Sequence, residues 1–148
     1  MTVMTPEELS QLLVTNLPAV DHRGEIVEEI STDVVRLKLP VLQSYLSHDL
    51  PAGSGQVVLS GPVTIGFAET SMYACVHAFY GPRVFATTLS LNVSFLRLAG
   101  AAELFSVCRL LRRGRSVAFV EAHLFSGATE KPCAHVTATY SVHSLEKP

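Results

Sequence analysis

The chain has 148 residues, a net charge of −2, 48% apolar residues and only 16% charged ones. That is one domain with enough apolar material for its own core and too little basic surface for a nucleic-acid groove. A surplus of apolar residues is common in subunits that cover a further face with a copy of themselves.

Three cysteines, Cys75, Cys108 and Cys133, stand in no paired spacing. They argue against a disulfide framework and for a reducing compartment, so a cytoplasmic location is expected. The start of the chain lacks the basic residues, apolar run and small-residue cleavage site of a signal peptide.

Taken in order, Thr5-Pro6-Glu7-Glu8 predicts a helix start, with Thr5 as cap, Pro6 in the first turn and Glu8 closing a capping box. Leu9, Leu12, Leu13 and Leu17 then share one face, and Pro18 ends the element. GEIVEEIST and DVVRLKLP predict two short strands around Ser31-Thr32-Asp33; the second alternates cleanly, the first is mixed. From Val41 to Gln56 the period is lost and Pro51, Gly53 and Gly55 appear, which predicts a surface loop.

Ser60 to Tyr80 predicts a long helix that is apolar nearly all round, opened by Gly61-Pro62 and followed by Gly81-Pro82. It has about the length of a membrane span, but Gly66, Glu69, Thr70, Ser71 and His77 lie inside it and no basic residues flank it. Burial in protein rather than lipid is expected.

RVFATTLSLNVSFLR follows as the clearest strand. Phe85, Thr87, Leu89, Leu91, Val93 and Phe95 are expected on one face, and Ala86, Thr88, Ser90, Asn92 and Ser94 on the other. That second face, small and uncharged, suits a subunit interface or a site. A turn at Ala99-Gly100-Ala101 leads to a strand from Glu103 to Arg112. Arg113-Gly114 makes a hairpin, Ser116 to Phe125 returns, and Pro132 to Val142 is the last strand. One apolar helix needs wrapping, and an antiparallel sheet is the only element available to wrap it. The expected class is α+β, a hotdog fold with an N-terminal capping helix.

Glu69 is the only formally charged side chain between Asp49 and Arg83. A carboxylate in such a helix is solvated by a cavity, paired across an interface or held partly protonated. With few charged neighbours it serves as base or nucleophile; the bland alternative is a structural carboxylate. At Gly61-Pro62 the unpaired amides of the helix start offer a place for an oxyanion, or simply a loop-to-helix turn. Thr88 and Asn92 are either orienting groups or interface packing. No metal is expected, because Cys133-x-His135 is too sparse for zinc and no H-x-x-x-H or C-x-x-C occurs. There is no G-x-S-x-G and no phosphate loop.

The succession LSGPVTIGFAETSMY, TTLSLNVSFLRLAG, GRSVAFVEAHLF and AHVTATYSV closely resembles the PaaI-like branch of hotdog-fold acyl-CoA thioesterases, over roughly Ser60 to Val142. The resemblance implies Gly61 as the amide that polarises the thioester carbonyl, Glu69 as the catalytic carboxylate and Thr88 as a hydroxyl from the facing subunit. The family's H-G-G segment is Ser60-Gly61-Pro62 here, its strand aspartate is Ser90, and its loop Asn or Gln falls on Ser54 or the nearby Gln56. It further implies a homodimer or dimer of dimers, with acyl-CoA entering along the interface and Arg97, Arg112, Arg113 and Arg115 as candidates for its phosphates. Coenzyme A enters as part of the substrate; no cofactor, nucleic acid or membrane partner is expected. The alternatives are a non-catalytic acyl-CoA binding protein and, with less behind it, a hotdog hydratase using His77.

Overall fold

The computed structural model describes residues 4–47, 49 and 51–146. Helix α1 (Pro6–Asn16) starts as its first residues require. The Glu8 amide donates to Thr5 Oγ1 at 3.2 Å and the Thr5 amide to Glu8 Oε2 at 2.9 Å, a complete capping box. Leu9, Leu12 and Leu13 are buried beneath it.

Six strands, β1 (Ile26–Ile30), β2 (Val34–Leu39), β3 (Val84–Phe95), β4 (Leu104–Arg113), β5 (Val117–Ser126) and β6 (Ala134–Ser144), form one antiparallel sheet in the order β1-β2-β4-β5-β6-β3. Helix α2 (Gly61–Tyr80) lies between β2 and β3 in the chain and packs against β2, β3, β4, β5 and β6. Phe67, Met72, Cys75 and Val76 of α2 meet Leu37 and Leu39 of β2, Val120 and Leu124 of β5 and Val136 of β6 in one core cluster. Each large apolar side chain withdrawn there contributes ~1.5–3 kcal/mol. Ser71 of α2, fully buried, accepts a hydrogen bond from Ser106 of β4 at 2.8 Å, so the polar pair costs little. This is the hotdog architecture expected from the sequence. Among the described residues, no helix is long and apolar enough to cross a membrane.

Strand bulges account for most of the differences from the expected pattern. In β3, Thr88 stands opposite Tyr140 and Ser90 opposite Thr139, which leaves Leu89 as an extra residue. An extra residue reverses the alternation beyond it. Ala86 and Thr88 therefore face α2 before the bulge and Leu91 and Val93 after it, whereas Phe85, Thr87, Ser90, Asn92 and Ser94 are exposed. The continuous small, polar face expected along β3 does not exist. A second bulge at Glu28 explains the mixed pattern of β1, and a third falls at Leu111 in β4.

β3 takes the free edge of the sheet beside β6, while β4 pairs with β2. Ala99-Gly100-Ala101 thus belongs to a connection that passes the ends of β6 and β5 instead of a simple turn. The loop before α2 holds one 3-10 turn, Gln43–Tyr45, and a bridge between Leu46 and Leu59. His48 and Leu50 in that loop lie outside the described residues.

Candidate active site

Helix α2 starts with few amides to spare. Ser60 is its N-cap: Ser60 Oγ accepts from the Val63 amide at 3.4 Å, and its carbonyl accepts from the Thr64 amide at 3.0 Å. Pro62 has no amide hydrogen. Among the described residues, Gly61 N–H is the donor left without a partner at the positive end of the helix dipole. A Cβ at Gly61 would meet only Phe95 Cζ, at an ordinary 3.8 Å, so nothing in its own chain demands a bare backbone there. A cleft of about 450 Å³ opens beside it, lined by Val58, Phe95, Leu98 and Arg97 among others.

Two turns further along, the Glu69 carboxylate is half-buried and accepts a hydrogen bond from Thr88 Oγ1 at 2.7 Å. It is neither fully buried nor unpartnered, as its isolation in the sequence suggested. Within the chain, the hydroxyl beside the carboxylate is that of Thr88 on β3. Tyr140, opposite Thr88 in β6, donates to the Glu69 backbone carbonyl at 3.3 Å, and burial pushes its phenol well above the usual tyrosine range. These contacts lock the carboxylate against the inner face of β3.

A cavity of about 170 Å³ joins Glu69, Thr88 and Tyr140 to Thr70, Tyr73, Gly66 and Arg23. Arg23 is the residue the sequence did not point to. Its guanidinium is pinned by Glu25 at 3.3 Å and Asp21 at 3.7 Å, and its carbonyl accepts from Tyr45 Oη at 2.8 Å. It lies on the bare helix surface at Gly66, where a Cβ would collide with Nη2. The available signal was Gly66 itself, an interior helix glycine one turn before Glu69.

The other expected site residues separate. Ser60 and Pro62 build the helix start, with Ser60 Oγ committed to its cap. Ser54 and Gln56 are exposed and bonded to each other, Gln56 N–H to Ser54 Oγ at 3.1 Å, and neither lines the cavities at Glu69 or Gly61. Arg97 stays near Gly61: it lines the same cleft and donates to the Pro132 carbonyl at 2.8 Å. A neighbouring cleft shares Arg97 and Leu98 and adds Lys131. Arg113 and Arg115 belong to the β4–β5 turn at the opposite end of α2. The Arg113 guanidinium stacks 5.1 Å from the Tyr80 ring centre, and Tyr80 Oη donates to the Gly114 carbonyl at 2.6 Å. They are remote from the Gly61 mouth because the hairpin that carries them closes over the helix C-terminus. Arg112, named with them for phosphate, sits in the same β4 end.

A family model for the acyl-CoA thioesterase N-terminal domain matches residues 51–141. The chain belongs to this family. The matched region contains all of α2 and β3, hence Gly61, Glu69 and Thr88. Among solved structures, this family member is similar to a protein of Silicibacter sp. assigned to the thioesterases, 28% identical over 97% of this chain and 94% of that one, with a TM-score of 0.83. A thioesterase of Haemophilus influenzae (21% identity, 98% and 94% coverage, TM-score 0.79) and a mutant thioesterase of Pseudomonas aeruginosa (23%, 97% and 99%, 0.75) share the fold. A search of curated proteins finds no match.

Proposed function

We propose that this thioesterase-family chain hydrolyses acyl-CoA thioesters, as a PaaI-like enzyme, at sites each built from two copies. The observation that carries the reading is the carboxylate of Glu69, held at 2.7 Å by Thr88 on the same helix that offers the free amide of Gly61. Within one helix those groups are eight residues and about 12 Å apart, too far to act on one carbonyl. Two α2 helices lying antiparallel bring Gly61 of one copy beside Glu69 of the other. The twelve-residue edge strand β3, whose outer side has no partner strand among the described residues, supports such a pairing, because an open edge with exposed Phe85, Leu89 and Phe95 is a surface that proteins cover.

In the proposed reaction, the thioester carbonyl oxygen accepts from Gly61 N–H. Glu69, oriented by Thr88, takes a proton from water as the water oxygen bonds to the carbonyl carbon. The tetrahedral oxyanion collapses, the C–S bond breaks, and the thiolate of coenzyme A recovers the proton from Glu69. Direct attack by Glu69 reaches the same products through an anhydride that water then opens. The apolar cleft beside Gly61 suits the pantetheine arm, and Arg97 with Lys131 suits the phosphates beyond it. Coenzyme A arrives as part of the substrate, no cofactor is needed, and the reading includes a cytoplasmic location, which the three buried free cysteines support.

A hydratase is disfavoured because His77 is buried with Nδ1 turned to the Gly81 carbonyl at 3.0 Å. A non-catalytic acyl-CoA binder has the Ser60 cap in its favour, standing where the family resemblance places histidine. Release of free thiol from a panel of aliphatic and aryl CoA thioesters, with Glu69→Ala alongside, separates the two. Turnover by the wild type that disappears in Glu69→Ala supports the hydrolase; tight binding without turnover by the wild type sinks it.

A further inference from the structure

The face of the sheet turned away from α2 carries a cluster that the thioester chemistry does not use. Glu121 and His123 of β5 and His135 of β6 are all half-buried there, while the alternating Val120, Ala122, Leu124 and Val136 point into the core. His123 and His135 are direct partners across the two strands, with ring centroids 4.6 Å apart and planes at 31°. Glu121 Oε2 lies 2.9 Å from His135 Nε2, and one donor atom from each of the three side chains lies within 4.8 Å of the others. Glu121 also faces Arg109 across β4, the cation it would ordinarily take. Arg109 is bound instead to Asp33 at 3.4 Å, and the carboxylate turns to the imidazole.

We propose that Glu121, His123 and His135 form a binding site for a divalent transition metal of the zinc class. Two imidazoles and one carboxylate are donors for zinc, cobalt or nickel, not for calcium or magnesium, which take oxygen. A tetrahedral ion with bonds of ~2.0–2.1 Å holds neighbouring donors about 3.3 Å apart. The Glu121–His135 pair already stands near that spacing, and His123 joins by a rotation of its half-buried imidazole. The metal displaces the proton shared by Glu121 and His135, takes a water in its fourth position and ties β5 to β6. It lies across the sheet from Glu69 and takes no part in hydrolysis, so this inference does not rest on the proposed activity. Glu121 and His135 are far apart in sequence, so no ligand spacing announces the site; the strand register creates it.

Full-length protein stripped with a chelator should bind one Zn²⁺ per chain in titration against a chromogenic competitor. Co²⁺ should give visible ligand-field bands without a sulfur charge-transfer band. The His123→Ala/His135→Ala double variant should weaken Zn²⁺ binding at least about tenfold, and Glu121→Gln should weaken it as well. Circular dichroism checks that these outward-facing changes leave the fold intact. Zinc bound equally well by the double variant, sulfur bands with Co²⁺, or no binding by the wild type at about 100 µM Zn²⁺ would each overturn the proposal.

Discussion

Thr88 Oγ1 donates to Glu69 Oε1 at 2.7 Å, and it does so only because Leu89 is an extra residue in β3. Without that bulge, the alternation that puts Leu91 and Val93 against the helix would turn Thr88 to solvent. A hydrogen bond to a charged group is worth ~1.5–3 kcal/mol, so Thr88→Val should lower kcat by about 10- to 100-fold. KM should change little, and Thr88→Ser should restore most of the rate. Steady-state kinetics on one CoA thioester checks all three; an unchanged kcat in Thr88→Val would remove the orienting role.

The shared site predicts complementation. Gly61→Pro removes the free amide while keeping a residue suited to the first helical turn, and Glu69→Ala removes the carboxylate. Each homodimer should be inactive. Random pairing makes half the dimers mixed, each with one intact site, so co-refolded protein should recover about a quarter of wild-type activity. Sedimentation should show a dimer or larger at micromolar concentration. Absence of recovered activity in mixed dimers would overturn the shared site.

Gly66→Ala sets two effects of similar size against each other. Alanine gains about 1 kcal/mol of helix propensity over glycine. The new Cβ, in collision with Arg23 Nη2, must push the guanidinium off the helix and strain its pairs with Asp21 and Glu25. The melting temperature should therefore move by only a few degrees, while the cavity wall beside Glu69 is lost. Activity of Gly66→Ala should fall to match Arg23→Ala, and a variant with full activity would show that Arg23 merely braces the turn.

His77 makes stability sensitive to mild acid. Burial lowers its folded-state pKa below 6.5, offset in part by the bond to the Gly81 carbonyl, and Nε2 has no partner among the described residues. The unfolded chain takes up a proton near pH 6.5 before the folded chain does. This contribution is complete above that pH and is lost as pH falls through the interval between the two pKa values. Urea midpoints at pH 7.5 and 5.0 should show the loss, and His77→Asn, which keeps a donor for Gly81, should have a shallower dependence.

The cysteines should be inert in the native state. All three are buried and free; burial pushes the Cys108 thiol up to about 12 and raises those of Cys75 and Cys133. Iodoacetamide at pH 7.5 should leave them unmodified by mass spectrometry until denaturant is added. Rapid native labelling of Cys75 or Cys108 would contradict this packing.

The local features of this protein were legible in its residues. The Thr5–Glu8 capping box, the all-round apolar character of α2 and the hairpins linking β4, β5 and β6 each depend on neighbours a few positions apart, where period and capping chemistry operate. The solitary charge at Glu69 was equally visible. Pairing decided the rest. A bulge has meaning only against a partner strand, so the face presented by Thr88 could not be read from alternation alone. Arg23 reaches Gly66 from beyond another element, and His123 meets His135 only through the register of β5 and β6. The sequence by itself determined which elements form and where the carboxylate and the free amide lie along α2. Tertiary structure alone decided which side chains share a cavity with them, because long-range register and packing, unlike periodicity, leave no repeat in the chain.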